Sequence, residues 1–452
     1  MGDVRQLDCE VLVVGAGVAG LYAGFLLKRA GISFRVLEAD AHAGGRVRSR
    51  PERFTHLGLT LDEGANLINS TDTIAIRLMN NFGISYVRRL KAGVESMNYL
   101  CNGALYSQAE LDRLLFQDSR GAMNHMLHDQ DEWRADKNRD FNPKFIDESI
   151  ASYLARLEAG PVLRTMLKSF FWSEYGHLID NLNLHVLFDY LEIDLKGPTF
   201  QLIPNVDEAY TVPGGTNQIT EGLEQIVRAD VRYGRRVSRI EEENGVIYVT
   251  ARDQGLVEEQ HKCRQILFAA PLHSLAKIQV SVEGLSQHAI DQAHTSSYAS
   301  GTKLHLKFAE GFHQAYRYSG ILLTDTGEQI WTSSTGQGGA GLLTVLTGPM
   351  PEGRAQAVAH AGRVLLALDQ ICPRLSDLYV GVERSDAPLS YSGSLRPGEI
   401  SHLAIHDGGV HWATIGEASS GELQGYLEGA LRTAEEAVGG YILKKRALKR
   451  ER

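Results

Sequence analysis

Residues 11–27, VLVVGAGVAGLYAGFLL, run seventeen positions without a charge, and glycines at 15, 17, 20 and 24 limit what they can form. A membrane-spanning helix needs about 20 apolar residues, so a shorter run holding four glycines is a poor helix to place in lipid. A secretion signal needs a basic lead and a small-residue cleavage site. Here Asp3, Arg5, Asp8 and Glu10 make the approach net negative, and the mature chain is expected to start at Met1.

The same residues suit a strand, a tight turn and a helix. Val11 to Val14 are β-formers, and Gly15-Ala16-Gly17-Val18-Ala19-Gly20 spells G-x-G-x-x-G. In that spacing the first glycine permits the turn, the second admits a pyrophosphate to the backbone, and the third lets the helix pack closely on the strand. The phosphates then meet the unpaired N–H groups of the helix N-terminus. A second apolar strand, Phe34 to Leu37, ends at Glu38-Ala39, and Glu38 lies 18 positions beyond Gly20. An acid there suits ribose hydroxyls. The spacing identifies a dinucleotide and leaves open which one.

The 452 residues suggest two or three domains, and the 43% hydrophobic content is ample for sizeable cores. A net charge of −9 without a basic stripe in the body of the chain argues against nucleic-acid binding. Lys444, Lys445, Arg446, Lys449, Arg450 and Arg452 crowd the end. They read first as a solvated helix tail, with contact to an anionic membrane surface as the competing reading. Cysteines at 9, 101, 263 and 372 form no C-x-x-C pair and suit a reducing, cytoplasmic setting. His402, His406 and His411 lack an H-E-x-x-H context and are interrupted by Gly408-Gly409, so no metal site is expected. Neither a G-x-S-x-G elbow nor a P-loop is present.

No internal repeat appears. Residues 105 to 200 read mostly as helices, including SFFWSEYGHLIDNLNLHVLFDYLEI. Strand patterns return in RVSRIEEENGVIYVTA, where Asn244-Gly245 marks a hairpin, and in QILFAAP, GTKLHLKF and GLLTVLTG. The chain closes on a helical pattern from about 421 to 440. Two interleaved domains are expected.

At RVLEADAHAGGRVRS the sequence resembles the flavin-containing amine oxidase family, on Glu38 followed by Gly44-Gly45-Arg46. The resemblance implies that Arg46 lies over the FAD pyrophosphate, where a cation beside phosphates is well placed. It continues in order along nearly the whole chain. LDEGAN resembles the segment in which Gly64, Ala65 and Asn66 approach the flavin, and VPGGTNQI the glycine pair leading a helix back to the FAD domain. GRRVSRI is similar to the strand whose Val237 backbone faces the adenine, and FAAP to the strand end where Ala270 and Pro271 close the site. IGEASSGELQGYLEGA resembles the closing flavin motif, with Gly416-Glu417 and then Gly425-Tyr426 opening the last helix. A helix N-terminus there would favour the negative charge of a reduced flavin.

The fold so implied is α/β: a Rossmann-like FAD-binding domain (1–85, 205–290 and 385–452) interleaved with a substrate-binding domain of mixed sheet plus a helical insertion (86–204 and 291–384). Lys303 in GTKLHLKF matches the family lysine that holds a water next to flavin N5, while Lys307 is expected to face solvent. Tyr426 and Tyr391 match the aromatic pair that frames the amine. Ser390 stands where some members tether the flavin through cysteine, which implies non-covalent FAD. Asn66-Leu67 replace an arginine that clamps carboxylates in L-amino-acid oxidases, although Arg384 or Arg317 could supply another clamp. A family tryptophan is replaced near Arg384.

The resemblance thus implies an amine oxidase: hydride passes from the amine-bearing carbon to flavin N5, the imine hydrolyses to aldehyde or ketone plus ammonia or amine, and O2 becomes H2O2. The competing readings are an L-amino-acid oxidase, a flavin desaturase, and a flavin-retaining partner protein without catalysis. Phe171, Trp172 and Tyr175 are candidate pocket walls, with Glu174 and Asp180 as candidate contacts for a second ammonium. The expected partners are a small amine and O2, with room left for a homodimer.

Overall fold

The computed structural model describes residues 7–89, 97–139, 142–202, 206–253, 257–282, 285, 290, 297–316, 318, 320–393, 411–420, 423 and 425–450. Val11–Val14 is buried along its whole length and pairs in parallel with Phe34–Leu37 and with Gln265–Phe268. Val231–Arg232 and Trp412–Thr414 extend these to a five-stranded sheet in the order 231, 34, 11, 265, 412, parallel throughout. A parallel sheet must be covered on both faces, which explains the uncharged run at its centre. The helix Val18–Arg29 lies against the helices Asn217–Val227 and Leu427–Arg450. Gly20 allows its close approach, since a Cβ there would stand 2.0 Å from the Gly15 carbonyl oxygen.

Beside this sheet, Arg236–Glu243 and Val246–Arg252 form the expected hairpin, turning at Asn244 and Gly245 with φ of 53° and 72°. Both values suit the turn that matches strand twist.

A seven-stranded sheet builds the other half, with Ser297–Phe308 hydrogen-bonded between Gly341–Thr347 and Tyr379–Gly393. Alternation along Ser297–Phe308 sends Leu304, Leu306 and Phe308 into a core shared with the helix Arg354–Asp369. Lys303, His305 and Lys307 lie on the opposite face. That face is not solvated. Lys307 is 1% exposed, and its Nζ donates to Glu383 at 2.8 Å, to the Arg53 carbonyl at 2.6 Å and to Glu52 at 3.3 Å. The expectation of a solvent-facing lysine is therefore corrected. The second face packs against the segment around the hairpin Ser49–Pro51 and Thr60–Asp62, and Arg50 bridges Glu63 and Glu383 at 2.7 Å each.

Helices fill most of the stretch up to residue 190, with two departures from the sequence reading. Pro161–Tyr175 stops at Gly176, which is left-handed at φ 64°. After Leu184–Tyr190 the chain makes a hairpin, Leu191–Asp194 with Thr199–Leu202, where the reading placed helix. Its first strand alternates buried and exposed residues, a period-2 signal too short to stand out beside the aromatic helices. The closing helix begins at Leu427 and runs through the basic tail to Arg450, with Lys445 pairing to Glu10. Among the described residues no helix is long and apolar enough to cross a membrane.

One cap joins distant parts of the chain. The helix Thr73–Phe82 begins after Asp72, whose carboxylate turns back to the Asn69 N–H at 2.8 Å. Glu428, 1% exposed, takes its place, accepting from Ile74 N–H at 2.9 Å and Ala75 N–H at 3.0 Å. Glu428→Ala would strand these buried donors, an expected loss of about 2–3 kcal/mol in urea unfolding. A loss below about 0.5 kcal/mol would mean that water caps this helix instead.

Candidate active site

Strand ends gather the expected cofactor residues. Gly15 follows Val11–Val14 and donates its N–H to Leu37 O at 2.8 Å, Glu38 follows Phe34–Leu37, and Ala270 and Pro271 follow Gln265–Phe268. Carboxyl ends of parallel strands are where such sheets bind ligands. One cavity of about 1340 Å³ opens there, lined by every cofactor residue read from the sequence except Gly20, and by Lys303 and Tyr426. Tyr391 lies in the strand Tyr379–Gly393, but its side chain is outside the described residues, as are Arg317, His402 and His406.

The nucleotide end fits a bound dinucleotide. A Cβ on Gly17 would meet no protein atom within 4 Å, so no packing within the protein requires glycine there. The open space lies at the N-terminus of Val18–Arg29, where N–H groups await an anion. Glu38 is oriented by the N–H groups of Ala16 at 2.7 Å and Asp40 at 2.8 Å. Arg46 donates both guanidinium arms to Glu417, at 2.8 and 2.6 Å, which holds the cation at the cavity wall. Val237 lines the same end. At the other end Gly425 is left-handed at φ 87°, and Tyr426 and Leu427 carry the start of the closing helix to the cavity.

Around Lys303 the polar groups form a chain. Its Nζ donates to the Gly64 carbonyl at 2.5 Å and sits 5.7 Å from the Trp331 ring centre. Trp331 Nε1 donates to Asn66 Oδ1 at 2.6 Å, and Asn66 Nδ2 donates to Asp62 Oδ2 at 2.5 Å. Asn66 therefore braces the wall behind the lysine. Burial draws the Lys303 ammonium down to about 8, against the pull of Asp62, Glu208 and Glu174. A lysine in the unfolded chain titrates near 10.5, so between these values the unfolded chain holds a proton that the folded one lacks, and stability rises with pH across that window. Lys303→Met is expected to abolish this rise. Urea midpoints of both proteins at about pH 7.5 and about pH 10 check it, and parallel pH curves would exclude a depressed lysine.

Tyr175, Tyr190, Trp331 and Tyr426 surround the remaining space, with Glu174, Glu208 and Gln329 among them. Tyr190, Trp331 and Glu208 were not legible as site residues. A tyrosine or tryptophan in an apolar element reads as core, and Glu208 lies in no regular element. Of the other candidates, Phe171 is fully buried in the helical core and Asp180 is exposed. Trp172 packs over Gly327 and Gly348 rather than lining the cavity. Arg384 reaches the cavity, but its donors are committed to Asp386 at 2.6 Å, Met350 O at 2.9 Å and Pro351 O. Among the described residues one trio of metal-ligating groups converges, His128, Asp129 and Glu132, and Lys144 already holds both acids at 3.0 and 2.6 Å.

Comparison with known proteins decides the family. The profile described as flavin containing amine oxidoreductase matches residues 18–439. The chain belongs to the flavin-containing amine oxidoreductases. The match begins at the helix following Gly17 and ends in the closing helix, so it spans both ends of the cavity. Similar members include flavin-containing amine oxidase B of Canis lupus familiaris, 22% identical over 475 residues that cover 95% of this chain and 85% of that one. Protoporphyrinogen oxidase 2 of Arabidopsis thaliana is 40% identical over 75 residues, which are 17% of this chain and only 14% of that protein's length. In fold, the amine oxidoreductase described here is similar to cyclohexylamine oxidase from Brevibacterium oxydans IH-35A, with a TM-score of 0.76 over 97% of this chain and 100% of that one at 18% identity.

Proposed function

We propose that this chain is an oxidase of amines, with FAD held non-covalently and molecular oxygen as final acceptor. The observation that carries this reading is the continuity of a single cavity from the Gly17 cradle to Lys303 and Tyr426. Bound FAD would supply the electron acceptor, taking hydride at N5 from the carbon that bears the amine and passing both electrons to O2 to give H2O2. The protein supplies binding, orientation and proton placement. Gly15, Gly17, Ala19, Glu38 and Arg46 would hold the ADP half, with Gly416, Glu417 and the start of the closing helix at the flavin half. The domain ranges read from the sequence go with this reading.

Lys303 has one N–H committed to Gly64, which leaves the rest of its head for a water in the cavity. A water held there would hydrolyse the imine to aldehyde or ketone, releasing ammonia or a smaller amine. The Tyr426 face, with Trp331 and Tyr190, suits the amine and its alkyl chain and excludes bulk water. Arg384 and Asn66 are already committed to other partners, which favours amines over α-amino acids. The cytoplasmic setting rests on the four cysteines, none of which forms a disulfide.

Purified protein is expected to be yellow, and its flavin to be bleached by an amine without oxygen and restored with peroxide release on aeration. A colourless preparation, or a flavin that no amine bleaches, overturns the reading. Turnover confined to α-amino acids would make it an L-amino-acid oxidase, and amine-insensitive oxidation of C–C bonds a desaturase.

A further inference from the structure

We propose that Glu174 and Glu208 form a subsite for a second ammonium group, so that the substrates are diamines oxidised at one end and held at the other. The inference rests on the oxidase reading above and names the substrate class of that same cavity.

Glu208 is held in a strained position. It is a non-glycine residue at φ 43°, in the left-handed region, where a side chain is costly unless the surroundings impose it. The surroundings do so. Its N–H donates to Asn69 Oδ1 at 2.9 Å, and its carbonyl accepts from Arg89 Nε at 3.3 Å and Nη2 at 3.1 Å. All of this fixes the backbone and leaves the carboxylate directed elsewhere. Oε2 is buried, accepts no hydrogen bond and stands 3.9 Å from Arg89 Nη2, beyond hydrogen-bond reach. The 23% of the side chain that remains accessible belongs to the cavity wall.

Glu174 is equally out of place. It occupies the last turn of Pro161–Tyr175, where the helix dipole favours a cation and opposes an anion. Its Oε2 accepts from Gln329 Nε2 at 3.1 Å, a neutral donor. Burial pushes the carboxyl of Glu208 up to about 7, and Glu174 adds to that rise; Glu174 is itself raised, by burial above all. Two acids close enough to disturb each other face an enclosed space, and the cations that act on them, Arg89 and Lys303, donate no hydrogen bond to either carboxylate. Lys303 directs one N–H to Gly64, and Arg384 is committed to Asp386 and two carbonyls.

An alkylammonium supplies what is missing. Its three N–H donors suit an unpartnered carboxylate oxygen, and Tyr175, Tyr190 and Tyr426 offer ring faces to the cation and the methylene chain. A carboxylate at the same place would meet two acids, which excludes amino acids of similar length.

The test compares α,ω-diamines of three to eight carbons with 1-aminoalkanes and ω-amino acids of the same lengths. The holoenzyme is mixed anaerobically with each, and the concentration dependence of flavin reduction supplies a rate and a Kd. The best diamine is expected to bind roughly 10- to 100-fold more tightly than its matched monoamine, with the amino acid weakest. In Glu208→Gln and in Glu174→Gln that diamine preference is expected to collapse towards unity, with the flavin spectrum and thermal midpoint showing that each variant is loaded and folded. Monoamines that reduce the flavin as tightly as diamines overturn the subsite while leaving the oxidase reading standing. A diamine preference that survives both substitutions does the same, and absence of bleaching by any amine removes both.

Discussion

Gly17→Val is expected to fold and to purify without flavin. Three observations set this outcome. Gly17 has φ −70° and ψ −179°, an extended conformation open to any residue, and a Cβ there meets no protein atom within 4 Å. The folded protein therefore has no reason of its own to require glycine. The added isopropyl group would occupy the space over the helix N-terminus where a pyrophosphate has to lie. Steric exclusion from a built phosphate site is expected to weaken FAD binding by at least about 100-fold, with urea stability of the apoprotein changed by less than about 1 kcal/mol. Gly20→Val is the contrasting control, because its side chain would strike the Gly15 carbonyl and misfold the first unit. A flavin-loaded Gly17→Val protein would move the phosphates away from this turn.

The second large effect is expected at Lys307. Lys307→Met leaves Glu52 and Glu383, whose side chains are only 4% and 5% exposed, with Arg50 on Glu383 as the remaining cation. Breaking a buried ion pair by removing one partner typically costs about 3–5 kcal/mol, because the surviving charge is left desolvated. The pH dependence gives a second readout. Burial alone would raise the Glu52 carboxyl, but Thr55, the Leu57 N–H and Lys307 hold it at about 2, below the ordinary 4.5. The stability so gained is present above about pH 4.5 and is lost as pH falls towards 2. The gap between wild type and Lys307→Met should therefore narrow across that interval in acid unfolding curves. A constant gap would place the cost in lost packing rather than charge. Glu383→Gln in the Lys307→Met background should recover part of the loss by removing the stranded anion.

What could be read from the sequence was local. The G-x-G-x-x-G turn, the acid after the second strand and the Asn244-Gly245 hairpin depend on backbone needs that few residue types meet, so the residues announce the structure. Alternation along GTKLHLKF likewise indicates which side chains share a face. It does not say what covers that face, and this is why Lys307 reads as solvated and is buried. Glu208 and Tyr190 are brought to the cavity by contacts far away in the chain, and no spacing rule marks them. Glu428 is the same lesson in a helix: its position in the first turn suggests a local dipole effect, while its carboxylate caps another helix 354 residues earlier. Asn66 stands in a motif that resembles the family's, yet its hydrogen bonds to Trp331 and Asp62 became visible only once the strands were placed.

The closing helix has a consequence for the order of events during synthesis. It packs on the first helix, with Tyr22 bonded to Glu435 at 3.0 Å across 413 positions, and Trp412–Thr414 forms the last edge of the parallel sheet. The G-x-G-x-x-G turn is made long before the wall formed by Gly416, Glu417 and Tyr426. Folding of the half built on the parallel sheet therefore waits for the closing helix, and its apolar first strand depends until then on chaperones or on the nascent sheet for cover. Cofactor capture becomes a step that follows synthesis of the closing helix.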